Sequence, residues 1–276
     1  MSIKLIISFL FFFLLSCSSD DKEANIDYSL RSDSVLYNEA LSALKKKDYL
    51  VAHELFTELD LQHPYSKWAT KGQLMSGFAL YKNNKYDEAI FTLSKFINLN
   101  PNNPDLDYAY YLRGYCYFER INQVTRDQKY AKKAYDSFIE LNNKFPKSKY
   151  SQKSKKHIIV LNNQLAGKEM SIGKFYQTKG NFLSGILRYK YILKNYKKSA
   201  QIPESLYRLV ECYLSLGLKN QAIRYAKILG YNFSKTQWHI DAQILMKKHS
   251  VNLTRNYEKE KSLNLDTIDP NEFNSF

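Results

Sequence analysis

The sequence predicts an all-α solenoid of about five helical-hairpin repeats. Three observations carry that prediction. Apolar residues recur at helical spacing, only 9 glycines and 6 prolines occur in 276 residues, and one order of small, large and terminating residues keeps returning. The clearest copy runs from Lys67 to Pro104. Ala69–Lys82 reads as a first helix with Gly77 near its middle, and Asn83-Asn84-Lys85 as a turn. Tyr86 to about Asn98 reads as a second helix that stops at Asn100-Pro101. Small residues at Gly77 and Ala89 are expected to let the two backbones approach closely. One hairpin cannot bury its own apolar face, so copies are required. With Ala89 as marker the equivalents are Ala52, Ala134, Gly185 and Ala222, at spacings of 37, 45, 51 and 37 residues. The aromatic upstream recurs as Tyr49, Tyr86 and Phe182. The large residue downstream recurs as Phe56, Leu93, Phe138 and Tyr189, and the terminating proline as Pro64, Pro101 and Pro146. The pattern weakens at Lys197, in the place of a fourth proline, and at Ala226, in the place of a fifth large residue. The unit resembles the tetratricopeptide repeat, which implies a right-handed superhelical stack.

In chain order, residues 1–16 read as a lipoprotein signal peptide. Lys4 supplies the positive start, and Leu5–Leu15 is a mainly apolar stretch of eleven residues. Crossing a hydrocarbon core about 30 Å thick takes about 20 residues, so this stretch fits a secretory segment instead. Leu14-Leu15-Ser16-Cys17 resembles a bacterial lipobox, with Leu15 bulkier than usual at its place. That resemblance implies lipidation of Cys17, and Ser18 in place of an aspartate implies the outer membrane. An ordinary signal peptide with an incidental cysteine is the competing reading. Residues 17–32 form a polar tether. Asp33 or Ser34 is placed to cap the first helix of repeat one, about Val35–Lys46. Repeats one to three occupy 33–150. Repeat three carries a polar insertion, Arg120–Gln128, which reads either as a partner-reaching loop or as a tolerated surface loop. Repeat four opens with a long helix, about Ser151–Lys179, that bridges two subdomains. Repeat five covers about Pro203–Gly230, and Thr236–Lys248 is a capping helix that closes the stack, so the C-terminal half spans 151–250. The polar stretch 251–276 is expected to be disordered.

Composition narrows the function. Lys+Arg 41 against Asp+Glu 27 gives a net charge of +14, which suits nucleic acid, anionic lipid or an acidic protein. The secretory segment removes nucleic acid from that set. Cys116 and Cys212 are separated by a whole repeat, too far for a disulfide, and read as buried thiols. His53, His63, His157, His239 and His249 have no metal-ligand spacing. His53-Glu54 starts a metalloprotease pattern that Thr57 breaks. No metal, cofactor or catalytic residue is expected.

Binding surfaces are expected instead. Within the first helices, positions four and seven residues apart face the concave groove of a tetratricopeptide stack. They are Tyr37, Leu41 and Leu44; Leu74, Phe78 and Tyr81; Tyr108, Tyr111, Tyr115 and Phe118; Met170, Lys174 and Gln177; and Tyr207, Glu211 and Leu214. The groove is thus aromatic in repeats one to three and polar in four and five. The aromatic set reads either as a peptide-binding groove or as packing between repeats. Lys144, Lys147, Lys149, Lys153, Lys155 and Lys156 crowd the junction of repeats three and four, and Lys190, Lys194, Lys197 and Lys198 follow. These runs read as a solvated face, an acidic-partner site or a membrane-phosphate site.

Lipobox, tether and five repeats together resemble the outer-membrane assembly lipoprotein family, BamD. Tyr37-Asn38-Glu39-Ala40, Tyr49-x-x-Ala52, His63-Pro64-Tyr65-Ser66 and Tyr110-Tyr111-Leu112-Arg113-Gly114 carry that resemblance. It implies a non-enzymatic component of the machinery that inserts β-barrel proteins, lipid-anchored at the periplasmic face of the outer membrane. Implied partners are a POTRA domain of BamA, docked on the C-terminal repeats, other assembly-machinery lipoproteins, and unfolded β-barrel proteins received by the N-terminal repeats. Arg188 is the nearest match to an arginine of the BamA contact, with Lys190 and Lys194 beside it. The alternatives are another periplasmic repeat lipoprotein, of pilotin or cell-wall type, and a helical-superhelix cell-wall enzyme. The enzyme needs a catalytic domain after the solenoid, where this chain has a short polar tail.

Overall fold

The computed structural model describes residues 31–251 and 263–265; Cys17, the signal peptide and most of the tether lie outside them. The described residues from Asp33 onward form one compact unit. Eleven α-helices and no strand occur among the described residues. Helices α1 (Asp33–Lys46) and α2 (Tyr49–Gln62) form repeat one. α3 (Lys67–Lys82) with α4 (Tyr86–Leu99) and α5 (Leu106–Glu119) with α6 (Lys129–Lys144) form repeats two and three. α7 (Lys149–Thr178) with α8 (Phe182–Asn195) and α9 (Ile202–Ser215) with α10 (Lys219–Phe233) form four and five, and α11 (Gln237–Lys248) caps them. Each helix packs on the next, and α1–α3, α3–α5 and α5–α7 also touch, as stacked hairpins require.

The small and large positions interlock. A Cβ added to Gly77 would lie 2.7 Å from Leu93 Cδ2, one on Gly114 2.8 Å from Phe138 Cε1, and one on Gly173 2.5 Å from Tyr189 Cε1. The glycine thus accommodates the large side chain of the following helix rather than meeting Ala89 backbone to backbone. Repeat one uses Ala40 and Phe56, both fully buried. In repeat five the sizes are exchanged: Val210 stands on the first helix and Ala226 on the second, both buried in one core. The weak fifth copy is therefore a volume-conserving swap.

The helix ends are also uniform. His63, Asn100 and Phe145 precede the three prolines with φ/ψ of −134/59°, −124/58° and −131/60°. A following proline disfavours the α region, and all three residues lie outside it. Tyr196 takes −129/44° ahead of Lys197, so repeat four ends the same way without a proline. The short turns inside four of the hairpins each use a left-handed residue, whereas the longer 120–128 connection of repeat three has none. Gly180 and Gly217 supply it in repeats four and five, Lys47 and Asn84 in one and two.

A staple recurs between repeats. Ser66 and Ser148 are N-caps, accepting from the N–H of Trp68 at 3.1 Å and of Tyr150 at 3.0 Å. Each also donates to an aspartate of the preceding first helix, Asp33 at 2.5 Å and Asp107 at 2.6 Å. One turn further on, Tyr37 lies 4.6 Å from the Trp68 ring and Tyr111 5.5 Å from Tyr150.

The 120–128 insertion is folded back on α7. Gln164 Nε2 donates to the Asn122 carbonyl at 2.8 Å and Lys168 Nζ to that of Thr125 at 2.5 Å. The Gln128 amide closes the loop from within by donating to the carbonyls of Gln123, Val124 and Arg126. α7 itself has 30 residues, about 45 Å at 1.5 Å per residue. It contributes Leu161 and Leu165 to the core of repeats two and three, and Ala166 and Met170 to that of four and five. The stretch after Val251, expected to be disordered, departs from that expectation at Leu263–Leu265. Both leucines are buried against the last repeat.

Candidate functional site

The first helices place most of the expected groove residues together. Tyr37, Leu41, Leu44, Phe78, Tyr81, Tyr108, Tyr111, Tyr115 and Phe118 are half-buried along α1, α3 and α5. Leu74 is a correction: it is buried at 6% exposure and belongs to the core, because its α3 position turns inward. Tyr81 bridges repeats two and three through Tyr115 at 5.8 Å. A second cluster surrounds His157 of α7, whose ring lies 4.8 Å from Phe118, 5.2 Å from Tyr115 and 5.4 Å from Phe138. Tyr37 and Tyr111 are largely committed to the inter-repeat staples, as packing between repeats would have it. Burial pushes the phenols of Tyr37, Tyr81, Tyr108, Tyr111 and Tyr115 above their ordinary range. They stay neutral, so the surface offers aromatic area and hydroxyl groups rather than charge.

Repeats four and five carry the polar half. Met170 and Leu214 are buried in the core. Lys174 pairs with Glu204 at 2.5 Å, and Arg208 bridges Glu204 at 3.2 Å and Glu211 at 2.8 Å. Gln177 donates to Glu211 at 3.1 Å and accepts from the Tyr189 hydroxyl at 2.7 Å. The Tyr207 ring lies tilted against that of Trp238 of α11, 5.4 Å between centroids. The charges on this stretch are internally paired.

On α8, Leu183, Leu187 and Tyr191 are 52%, 52% and 46% exposed. They stand four residues apart and form one uncovered apolar stripe. Arg188 lies beside it, held by Glu169 of α7 at 3.0 Å, and Lys194 is half-buried at its far end. Leu187, Tyr191, Arg188 and Lys194, together with Tyr176, Ser184, Lys190 and Asn195, line an open pocket of about 490 Å³. Lys190 corrects the expectation of a surface contact. It is 4% exposed and forms the pocket floor, with burial and nearby Arg224 lowering its affinity for the proton.

The remaining reactive groups lie in the packed interior or beside it. Cys116 and Cys212 are buried free thiols, each pushed up to about 12 by burial. His53 Nδ1 lies 2.7 Å from the buried Ser76 hydroxyl, and His239 Nε2 3.0 Å from the Gln243 amide.

Comparison with known proteins adds the lineage. Residues 30–229 match the YfiO family, described as an outer membrane lipoprotein. The chain belongs to this family. Curated proteins named outer membrane protein assembly factor BamD are similar along most of their length. That of Caulobacter vibrioides is 37% identical over 235 residues, 85% of this chain and 77% of the relative. That of Rickettsia prowazekii is 40% identical over 216 residues, 78% and 86% of the two chains. That of Neisseria meningitidis serogroup A is 32% identical over 228 residues, 78% and 84%. The span matched to the YfiO family takes in the aromatic surface and the α8 stripe, and it ends before α11 and Leu263–Leu265. Sequence reasoning missed the staples, although a shared string announces them: Pro64-x-Ser66-Lys67-Trp68 and Pro146-x-Ser148-Lys149-Tyr150. It also missed His157, whose aromatic neighbours come from two other helices and leave no local signal.

Proposed function

We propose that this chain is a non-enzymatic component of the machinery that assembles β-barrel proteins in the outer membrane, held at the periplasmic face by lipid on Cys17. In this reading the α8 surface holds a POTRA domain of BamA, other assembly lipoproteins join the complex, and the half-buried aromatics of repeats one to three receive unfolded barrel proteins. The observation that carries it is the α8 stripe. Three large apolar side chains lie uncovered at one-turn spacing beside Arg188 and Lys194, the arrangement of a partner contact with an apolar centre and charged rim. Membership of the YfiO family and the names of the BamD relatives supply the setting. Neutral tyrosines beside Leu41, Phe78 and Phe118 suit a segment with alternating apolar side chains and suit a free carboxylate poorly.

The test is co-purification of BamA with tagged chain from native membranes. Leu187→Glu and Arg188→Glu change half-exposed positions and should leave the helical content unaltered while BamA is lost. Retention of BamA by both folded variants would remove α8 from the contact. Separately, a labelled C-terminal barrel peptide should bind the wild-type chain and bind a folded Phe78→Ala, Tyr81→Ala variant at least tenfold more weakly. Equal binding removes the groove. Mass spectrometry of the mature N-terminus should find an acylated Cys17.

A further inference from the structure

Beyond α11 the chain returns to its own last repeat. Asn232, one residue before the end of α10, grips that returning segment by its backbone. Its Nδ2 donates to the Leu263 carbonyl at 2.7 Å, and its Oδ1 accepts from the Leu265 N–H at 3.2 Å. Lys197, just after α8, donates to the Leu265 carbonyl at 3.3 Å. Leu263 and Leu265 are 6% and 7% exposed and join the core of repeats four and five. The segment is held in a turned conformation, with Leu263 in a 3-10 turn and Leu265 in the turn that follows, by two features of peptide recognition: main-chain hydrogen bonds for hold, and apolar seats for the two leucines.

The grip does not depend on the segment. Asn232 Nδ2 also donates to the Ile228 carbonyl one turn back, at 2.8 Å, which fixes the amide plane. Asn195, at the same register of repeat four, makes the same bond to the Tyr191 carbonyl at 3.0 Å while exposed to solvent. The equivalent neighbours differ accordingly: Tyr191 is 46% exposed and Ile228 1%. The helix end thus presents a preset carboxamide, and in repeat five the tail's leucines lie over it.

We infer that Asn232, Lys197 and the apolar seats around them form a peptide-recognition site, latched in cis by Leu263-Asn264-Leu265. The site takes a partner's segment of the same chemistry, in the same turned conformation, when the latch opens. That segment has leucines two residues apart followed by acidic residues, since this chain's own sequence continues with Asp266, Asp269 and Glu272 and no further Lys or Arg. The inference is independent of the α8 contact and of the groove.

The probe is a labelled peptide of this chain's sequence 261–269, titrated by fluorescence anisotropy into the full-length chain. A Leu263→Ser, Leu265→Ser variant has the latch released and should bind the probe at least tenfold more tightly than wild type. Adding Asn232→Ala should abolish that gain, and a probe with both leucines changed to serine should not bind. A folded latch variant that binds no better than wild type overturns the inference, as does equal binding of the serine probe. If the latch variant fails to fold, hydrogen exchange on Asn232→Ala decides. The Leu265 amide should exchange at least tenfold faster with α9 protection unchanged, and an unchanged Leu265 rate overturns the inference.

Discussion

Gly173 and Gly185 lie close to one another across the α7–α8 pair, yet an added methyl group meets different surroundings at each. At Gly173 it would run into the Tyr189 ring at 2.5–3.0 Å, and that ring is tied down through its hydroxyl to Gln177. At Gly185 it would find ordinary contact, with the Gly173 carbonyl at 3.4 Å and Cys212 Sγ at 3.7 Å. Gly173→Ala should therefore cost about 1–3 kcal/mol by overpacking. Gly185→Ala should stabilise by up to about 1 kcal/mol through helix propensity. Urea unfolding of the two variants beside wild type checks the difference in sign. The same scale sets the response to acid. Burial holds His53, His157 and His239 below the ordinary imidazole range. A base with a depressed folded pKa charges first in the unfolded chain, so the unfolded state takes up more protons once pH drops below about 6.5. Stability should decline from there as pH falls, before Asp33 and Glu140, both held below the ordinary carboxylate range, begin to matter. Urea midpoints at pH 7.5, 6.5 and 5.5 should fall in that order, and a folded His157→Gln variant should show a shallower fall.

At the scale of elements, the staples make two helix starts different from the rest. α3 and α7 begin on a serine that caps its own helix and bonds an aspartate of the previous repeat, whereas α2, α4 and α6 have no side-chain cap bond. Ser148→Ala should cost about 1–2 kcal/mol, at the upper end for a cap because the Asp107 bond goes with it. A thermal-unfolding series comparing Ser148→Ala with Asp107→Asn would show whether the two changes couple; strict additivity would mean that the staple is two separate bonds. These joints also mark how far the sequence could be read. Helix positions followed from period and punctuation because both act within one hairpin: Pro64, Pro101 and Pro146 fix the helix ends from the next residue, and Lys47 and Asn84 stand at the turns. The inner packing of Leu74 and Lys190 did not follow, because a first-helix or second-helix position is turned toward core or solvent by the neighbouring repeat. Repeat five looked degenerate for a related reason. A pattern read one position at a time cannot register that Val210 and Ala226 had exchanged sizes.

Over the whole molecule, α7 is the one helix shared by both larger cores. Trp68 sits in the first half and Trp238 in the cap, the chain's 2 tryptophans, so each half carries its own reporter. Wild type should unfold in one transition seen equally by Trp68→Phe and Trp238→Phe variants. Gly167→Pro in both backgrounds breaks the helix between Leu165 and Met170 and should separate the two midpoints. Coincident midpoints would mean that the α5–α7 and loop contacts, rather than α7 continuity, join the halves. The sequence disclosed this bridge from its length alone, since no proline interrupts it; the leucines that divide between two cores are visible only once the repeats are stacked. The unbroken α7 also imposes a rotational phase. Each residue turns the helix by 100° and advances it about 1.5 Å, so one inserted residue would swing the α8 stripe by more than a quarter turn relative to the aromatic face of repeats one to three. Seven residues return to within about 20°. If two bound partners must keep a common azimuth, length changes inside α7 among relatives should come as heptads, with the intermediate lengths missing.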